Sequence, residues 1–174
     1  MDEIRIMSRG KYYLTPFYHE HIDEFAELMS EENIREIMLL GHSSVHEALE
    51  KMVNKSEAYL ARETGGNIIF VGGLWHHDDI DHPQMFALFT KEIKDNMAVL
   101  ARGSKMLINF FDQTEAKMCM TILAEHESML NWAAWLGFEP VGIIGDDNTP
   151  YVEFVRCNPN QKNVSHNTSR PVKH

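Results

Sequence analysis

Asn131-Trp132-Ala133-Ala134-Trp135-Leu136-Gly137-Phe138-Glu139-Pro140 is the stretch whose reading decides the fold. It reads as a short amphipathic helix stopped by a glycine and followed by a strand. Trp132 and Trp135 are three residues apart, which predicts one shared helix face that Leu136 extends. Gly137 stands where a helix C-cap needs positive φ, and Phe138 can fold back onto the last turn. Any α/β protein can use this device, so its meaning comes from its neighbours.

Downstream, Val141-Gly142-Ile143-Ile144 and Tyr151-Val152-Glu153-Phe154-Val155 read as a closing strand pair joined by an Asp146-Asp147-Asn148 turn. Upstream, Lys117–Leu123 reads as a buried strand. Before it, a helix runs from a cap at Asp95 through Asp112, with Met97, Leu100, Ala101, Met106, Leu107 and Phe110 facing the core. Gln84–Phe89, Asn67–Trp75 and Ala58–Glu63 read as three strands. A Thr64-Gly65-Gly66-Asn67 hairpin turn joins the last two, and Gly72-Gly73 marks a bulge or bend. A helix over His19–Leu40 ends at Gly41, and Ser43 or Ser44 caps the next one. Tyr12–Phe17 is the first strand. The order is β-α-α-β-β-β-α-β-α-β-β, which predicts a mixed sheet flanked by helices.

Bulk properties bound the class. The chain has 174 residues, enough for one domain with its own core. It is 44% hydrophobic and 24% charged, as soluble globular proteins are. No apolar run approaches the roughly 20 residues that span a membrane. Met1-Asp2-Glu3-Ile4-Arg5 does not read as a signal peptide. A formal net charge of −10 argues against nucleic-acid binding and suits a basic partner. Two cysteines, Cys119 and Cys157, make no disulfide framework and fit a reducing compartment. The 11 methionines fit adaptable core filling or a pliable binding surface. Residues 158–174, poor in apolar positions, read as a disordered tail after a domain over 1–157.

The strand and helix order, with a three-strand meander before a crossover helix and Leu136-Gly137-Phe138 after the last helix, resembles the GNAT N-acetyltransferase fold. That fold is a single α/β domain built on a mixed, mostly antiparallel twisted sheet flanked by helices. Met129–Glu139, with its paired aromatics and Leu-Gly-Phe, is similar to the corresponding segment of small GNAT-like proteins encoded by tailed bacteriophages. Some of those are acetyltransferases and others internal virion proteins. The resemblance spans roughly residues 11 to 156.

It implies acetyl-CoA as cofactor, held between splayed strands with its pyrophosphate on backbone amides at a helix N-terminus. The family's Gln/Arg-x-x-Gly-x-Gly/Ala signature is absent, because no glycine stands between Phe89 and Leu100. Phe89 and Thr90 remain at the expected place. Arg102-Gly103-Ser104-Lys105 is either a displaced phosphate loop or a solvated helix face on which Gly103 makes room for a neighbour. The tyrosine that family members use as general acid is replaced by Ala133, and the usual helix-start asparagine by His126. Glu125 and His126 are then the candidates for proton transfer, which needs reach and a suitable pKa; the plain alternative is loop polarity.

Other chemistry is sparse. His76-His77-Asp78-Asp79-Ile80-Asp81-His82 has ligand-type residues but sits on one loop, so it reads as a solvated hairpin tip rather than a metal site. His19-Glu20-His21 is similar. Ser43, Ser44 and Ser104 lack a nucleophile elbow. The resemblance thus implies an acyltransferase acting on an amine of a protein or small molecule. The other reading is a catalytically silent GNAT-fold protein that binds a host bacterial or virion protein. The setting would be cytoplasmic, a host bacterium's if the chain is phage-encoded, or the virion. No membrane or nucleic-acid role is expected.

Overall fold

The computed structural model describes residues 5–95 and 97–161. The cap expected at Asp95 falls outside the described side chains, and residues 162–174 of the expected tail lie outside the described residues. Among the described residues there are eight strands and five α-helices. The chain divides into two compact units, Met1–Phe110 and Phe111–His174.

The first unit holds β1 (Met7–Arg9), β2 (Tyr12–Pro16), α1 (Ile22–Leu28), α2 (Glu31–Leu39), α3 (Val45–Lys55), β3 (Glu57–Glu63), β4 (Ile68–Trp75), β5 (Gln84–Phe89) and most of α4 (Met97–Phe111). Its strands follow one another in the order β1-β2-β3-β4-β5, every neighbour antiparallel. Alternate residues of β3, β4 and β5 point to opposite faces. On one face Ala58, Leu60, Val71 and Leu88 pack with Phe25 of α1, Ile37 of α2 and Leu49 of α3. On the other, α4 is seated so closely that a Cβ on Gly103 would lie 2.6 Å from Phe70 Cε1, and one on Gly72 2.5 Å from Leu107 Cδ2. Gly73 is as crowded, by Phe86 and the Glu57 carbonyl. The bulge expected at Gly72-Gly73 is therefore corrected. Pairing runs on through both glycines, and the register shifts at Ala61/Arg62.

Two further expectations change here. A short strand, β1, precedes the expected first strand and turns through Gly10 at φ 60°. The single helix over His19–Leu40 is three elements: a 3-10 turn at His19–His21, then α1, then α2. Met29 breaks the run with ψ 142°, and the Ser30 hydroxyl accepts the Asn33 N–H to start α2 afresh. Ser44 does cap α3, accepting from Glu47 N, while the Glu47 carboxylate accepts the Ser43 N–H.

The second unit holds β6 (Lys117–Leu123), α5 (Glu127–Trp135), β7 (Glu139–Asp146) and β8 (Thr149–Cys157), with antiparallel strand order β6-β8-β7. Gly137 closes α5 at φ 90°. Phe138 N bonds Ala133 O and Gly137 N bonds Ala134 O, the paired six-to-one and five-to-two bonds of a Schellman cap. Trp132 is buried at 7% exposure but Trp135 stands 51% exposed, so the shared tryptophan face is corrected: the packed stripe is Trp132, Ala133 and Leu136. Arg156, itself buried, donates from Nε to Leu136 O (3.1 Å) and forks onto Asp112 (Nη2–Oδ2 2.9 Å). Asn158, read as the start of a tail, is buried; its side chain donates to the carbonyls of Asp112 and Glu115.

Candidate active site

The end of β5 is tied down by the α1–α2 break. Met29 forms an isolated antiparallel bridge with Thr90. Ser30 N donates to Phe89 O at 2.8 Å, and Phe89 N donates to Asn33 Oδ1 at 2.7 Å. Asn33 is buried and bonded through both ends of its amide. Its Oδ1 also accepts from the Ser30 hydroxyl, and its Nδ2 donates to Glu36. Thr90 turns the other way, with N and Oγ1 both directed at Ile69 O. Sequence reading missed Ser30 and Asn33. The signal was present, since a Ser followed by two acidic residues is a helix start.

Beyond Thr90 the chain winds into a 3-10 turn at Lys91–Asp95, in which Ile93 is buried and bonds back to Thr90 O. A compact turn thus stands where the family signature has glycines. α4 then begins at Met97. Its first-turn amides point out of the helix end, because an α-helix leaves those groups without internal partners. Arg102–Lys105 lie further in, where amides are spent on the helix ladder. Gly103 and Ser104 are buried, Gly103 against Phe70, while Arg102 and Lys105 are exposed. A phosphate loop at 102–105 would need amides that the helix already uses. Of the two sequence readings, close packing describes Gly103.

A second group in the first unit was not legible in the sequence. The Tyr59 hydroxyl donates to Glu57 Oε1, and His76 Nε2 lies 3.8 Å from Glu57 Oε2. Tyr59 also meets the Phe110 ring edge-on at 4.9 Å. Burial pushes the Tyr59 hydroxyl well above its ordinary pKa, and the Glu57 bond and charge push it further. Past His76, the polar loop is held by His77–Gln84 (3.0 Å) and by stacking of His77 on Trp75. Among the described residues no group of three or more His, Cys, Asp or Glu is arranged to hold a metal ion. His21 serves locally, accepting the Tyr18 N–H on Nδ1, and His19 bonds Asn54.

In the second unit, Glu125 and His126 lie in the turn between β6 and α5. His126 N bonds back to Leu123 O, and its carbonyl accepts from the third and fourth α5 amides, Met129 N and Leu130 N, both at 3.0 Å. Its side chain makes no cap bond, is largely covered, and sets Nε2 4.0 Å from the half-exposed Glu125 carboxylate. Ala133, at 0% exposure, is packed inside α5 with no hydroxyl to offer. Cys119 is buried on β6, and burial raises its thiol pKa; Cys157 is exposed, and neither is in a disulfide. No helix among the described residues is long and apolar enough to cross a membrane.

With strand meander, helix and Schellman-closed last helix in place, the chain has the fold of the GNAT acetyltransferases. A mutant spermidine N-acetyltransferase from Vibrio cholerae superposes with TM-score 0.69 at 12% identity, over 86% of this chain and 95% of that one. A GNAT-family acetyltransferase from Bacillus anthracis gives 0.67 at 10%, over 87% and 97%. A ribosomal-protein alanine acetyltransferase from Vibrio fischeri gives 0.66 at 11%, over 90% and 98%. At these identities the likeness is one of fold. No protein-family model and no curated protein matches the chain.

Proposed function

We propose that the chain is an N-acetyltransferase that moves an acetyl group from acetyl-CoA to an amine of a small molecule or protein. The observation that carries this is the fold, matched over 86–90% of the chain by acetyltransferases. In this reading the first-turn amides of α4 would hold the pyrophosphate, favoured by the helix dipole. Exposed Arg102 and Lys105 add positive charge one and two turns on, while Gly103 and Ser104 keep α4 against the sheet. Phe89 and Thr90 set the strand end that precedes this turn. The acceptor nitrogen attacks the thioester carbon, the C–S bond breaks, and CoA leaves as thiolate. His126 takes the amine proton, with Glu125 steadying the imidazolium, and returns it to the thiolate. Most of the rate comes from positioning the reactants. The excess of carboxylates suits a cationic acceptor. The finer reading is a phage-encoded enzyme acting in a host bacterium.

The test is stability with acetyl-CoA. A cofactor at 100 times its Kd adds about 2.7 kcal/mol, read as a raised thermal midpoint. Mass spectrometry of spermidine and of lysine peptides then reads acetyl transfer, which His126→Ala lowers. No stabilisation at millimolar acetyl-CoA sinks the proposal.

A second reading is a silent GNAT-fold protein that binds a host or virion protein. Buried Ala133 at the general-acid position and the glycine-free turn at 91–95 favour it. A stoichiometric protein partner without acetylated product selects it.

A further inference from the structure

β7 differs from every other long strand. All eight of its residues are exposed, on both faces, with Ile143 at 74%, Val141 at 59% and Ile144 at 45%. Among the described residues it pairs with β8 alone and ends the strand order β6-β8-β7. Its outer margin is therefore a row of backbone donors and acceptors beside apolar side chains, which is a template for another strand. Proteins blunt such margins with prolines, bulges and charges. Here Pro140 and the register shift at Pro140/Gly142 blunt only the start, and Val141–Gly145 carries no charge.

The charges around this run say what fits it. Between Gly137 and Val155 there are four carboxylates, Glu139, Asp146, Asp147 and Glu153, and no lysine or arginine. Glu139 and the Asp146-Asp147 pair bracket the uncharged run at its two ends. A second copy of the chain fits poorly. Two-fold antiparallel pairing brings Glu139 of one copy opposite Asp146 and Asp147 of the other, and like charges facing each other across strands destabilise a pair. A segment with an apolar centre and basic ends satisfies both the margin and its brackets.

We infer that β7 is a docking edge for an extended segment of a partner protein, apolar at its centre and flanked by lysine or arginine, which adds as a further strand. Ile143 and Ile144 point to opposite faces, so both faces of the incoming strand are read, at alternate positions. The inference does not depend on acetyl transfer.

The probe is a fluorescein-labelled nine-residue peptide, five alternating valines and threonines with two lysines at each end, titrated with the full chain by fluorescence anisotropy. Saturable binding is expected, weakening as salt is raised. Ile143→Lys, on a fully exposed strand, and the surface double variant Glu139→Lys with Asp147→Lys should each weaken it about tenfold or more. A central proline in the peptide should abolish binding, and glutamates in place of its lysines should do the same. Deuterium exchange at Val141–Ile144 should slow in the complex. Absence of saturable binding up to ~1 mM protein, or equal binding by Ile143→Lys and the double variant, overturns the inference. So does sedimentation showing a dimer that Ile143→Lys separates, which gives the edge to a second copy.

Discussion

The junction from α5 into β7 and the junction from β5 into α4 solve the same problem, a change from one element to the next, by opposite means. At the first, Gly137 at φ 90° lets two cap bonds close within six residues, and the geometry is local. At the second, Phe89 and Thr90 are fixed by Met29, Ser30 and Asn33, far back in the chain. The difference teaches where function is hard to read. The local junction supports the fold, whereas the one expected to face a cofactor is shaped by contacts that no sequence window contains.

The comparison can be broken at its strongest point first. Arg156→Ala strips Asp112 of its buried partner and Leu136 O of its donor, which undoes the support behind the α5–β7 junction. A loss of about 3–5 kcal/mol is expected from denaturant unfolding. Asn33→Ala attacks the other junction by removing the Oδ1 that accepts the buried Phe89 amide, at about 1–3 kcal/mol. If α4 and β5 serve acetyl-CoA, the same variant changes cofactor affinity while Arg156→Ala, in a folded sample, does so less. Gly137→Ala keeps every contact but forces a side chain into positive φ, at about 1–2 kcal/mol. A cost well above that range shows the cap to be more than a local device.

The smallest effect sharpens the local side of the comparison. The Thr149 N–H, then the Thr149 hydroxyl and the Asn148 N–H, hold the Asp146 carboxyl below its usual pKa. A depressed folded pKa means that this group's contribution is full above the unfolded pKa and fades as pH falls through the folded one. Asp146→Asn should therefore flatten the stability profile slightly below about pH 4, and NMR titration of the wild-type carboxyl should show the lowered midpoint.

What the sequence made legible follows the same line. The strand Lys117–Leu123, the glycine stops at Gly41 and Gly137 and the Ser44 cap were read correctly, because period, φ and capping are short-range. The helix over His19–Leu40 was not, because Ser30 stops it by satisfying both Asn33 and Phe89. Trp135 misled because spacing of three gives a broad face, only part of which is packed. Gly72 and Gly73 were read as a bulge or bend, and Gly103 either as part of a phosphate loop or as room for a neighbour. They are spaces left for Leu107, Phe86 and Phe70. Glu125 and His126, proposed for proton transfer, could be placed by strand and helix ends, while the Glu57–Tyr59–His76 group joins β3 to the residue after β4 and leaves no motif.

The bond from Phe89 N to Asn33 has a consequence for time as well as energy. That amide is held by a side chain from a helix start, so it exchanges with solvent deuterium only when the α1–α2 segment lifts. Its exchange rate is therefore a clock for that lifting, set apart from the fraying of β5, and any ligand that claims the same amide will slow or speed the clock before changing anything else.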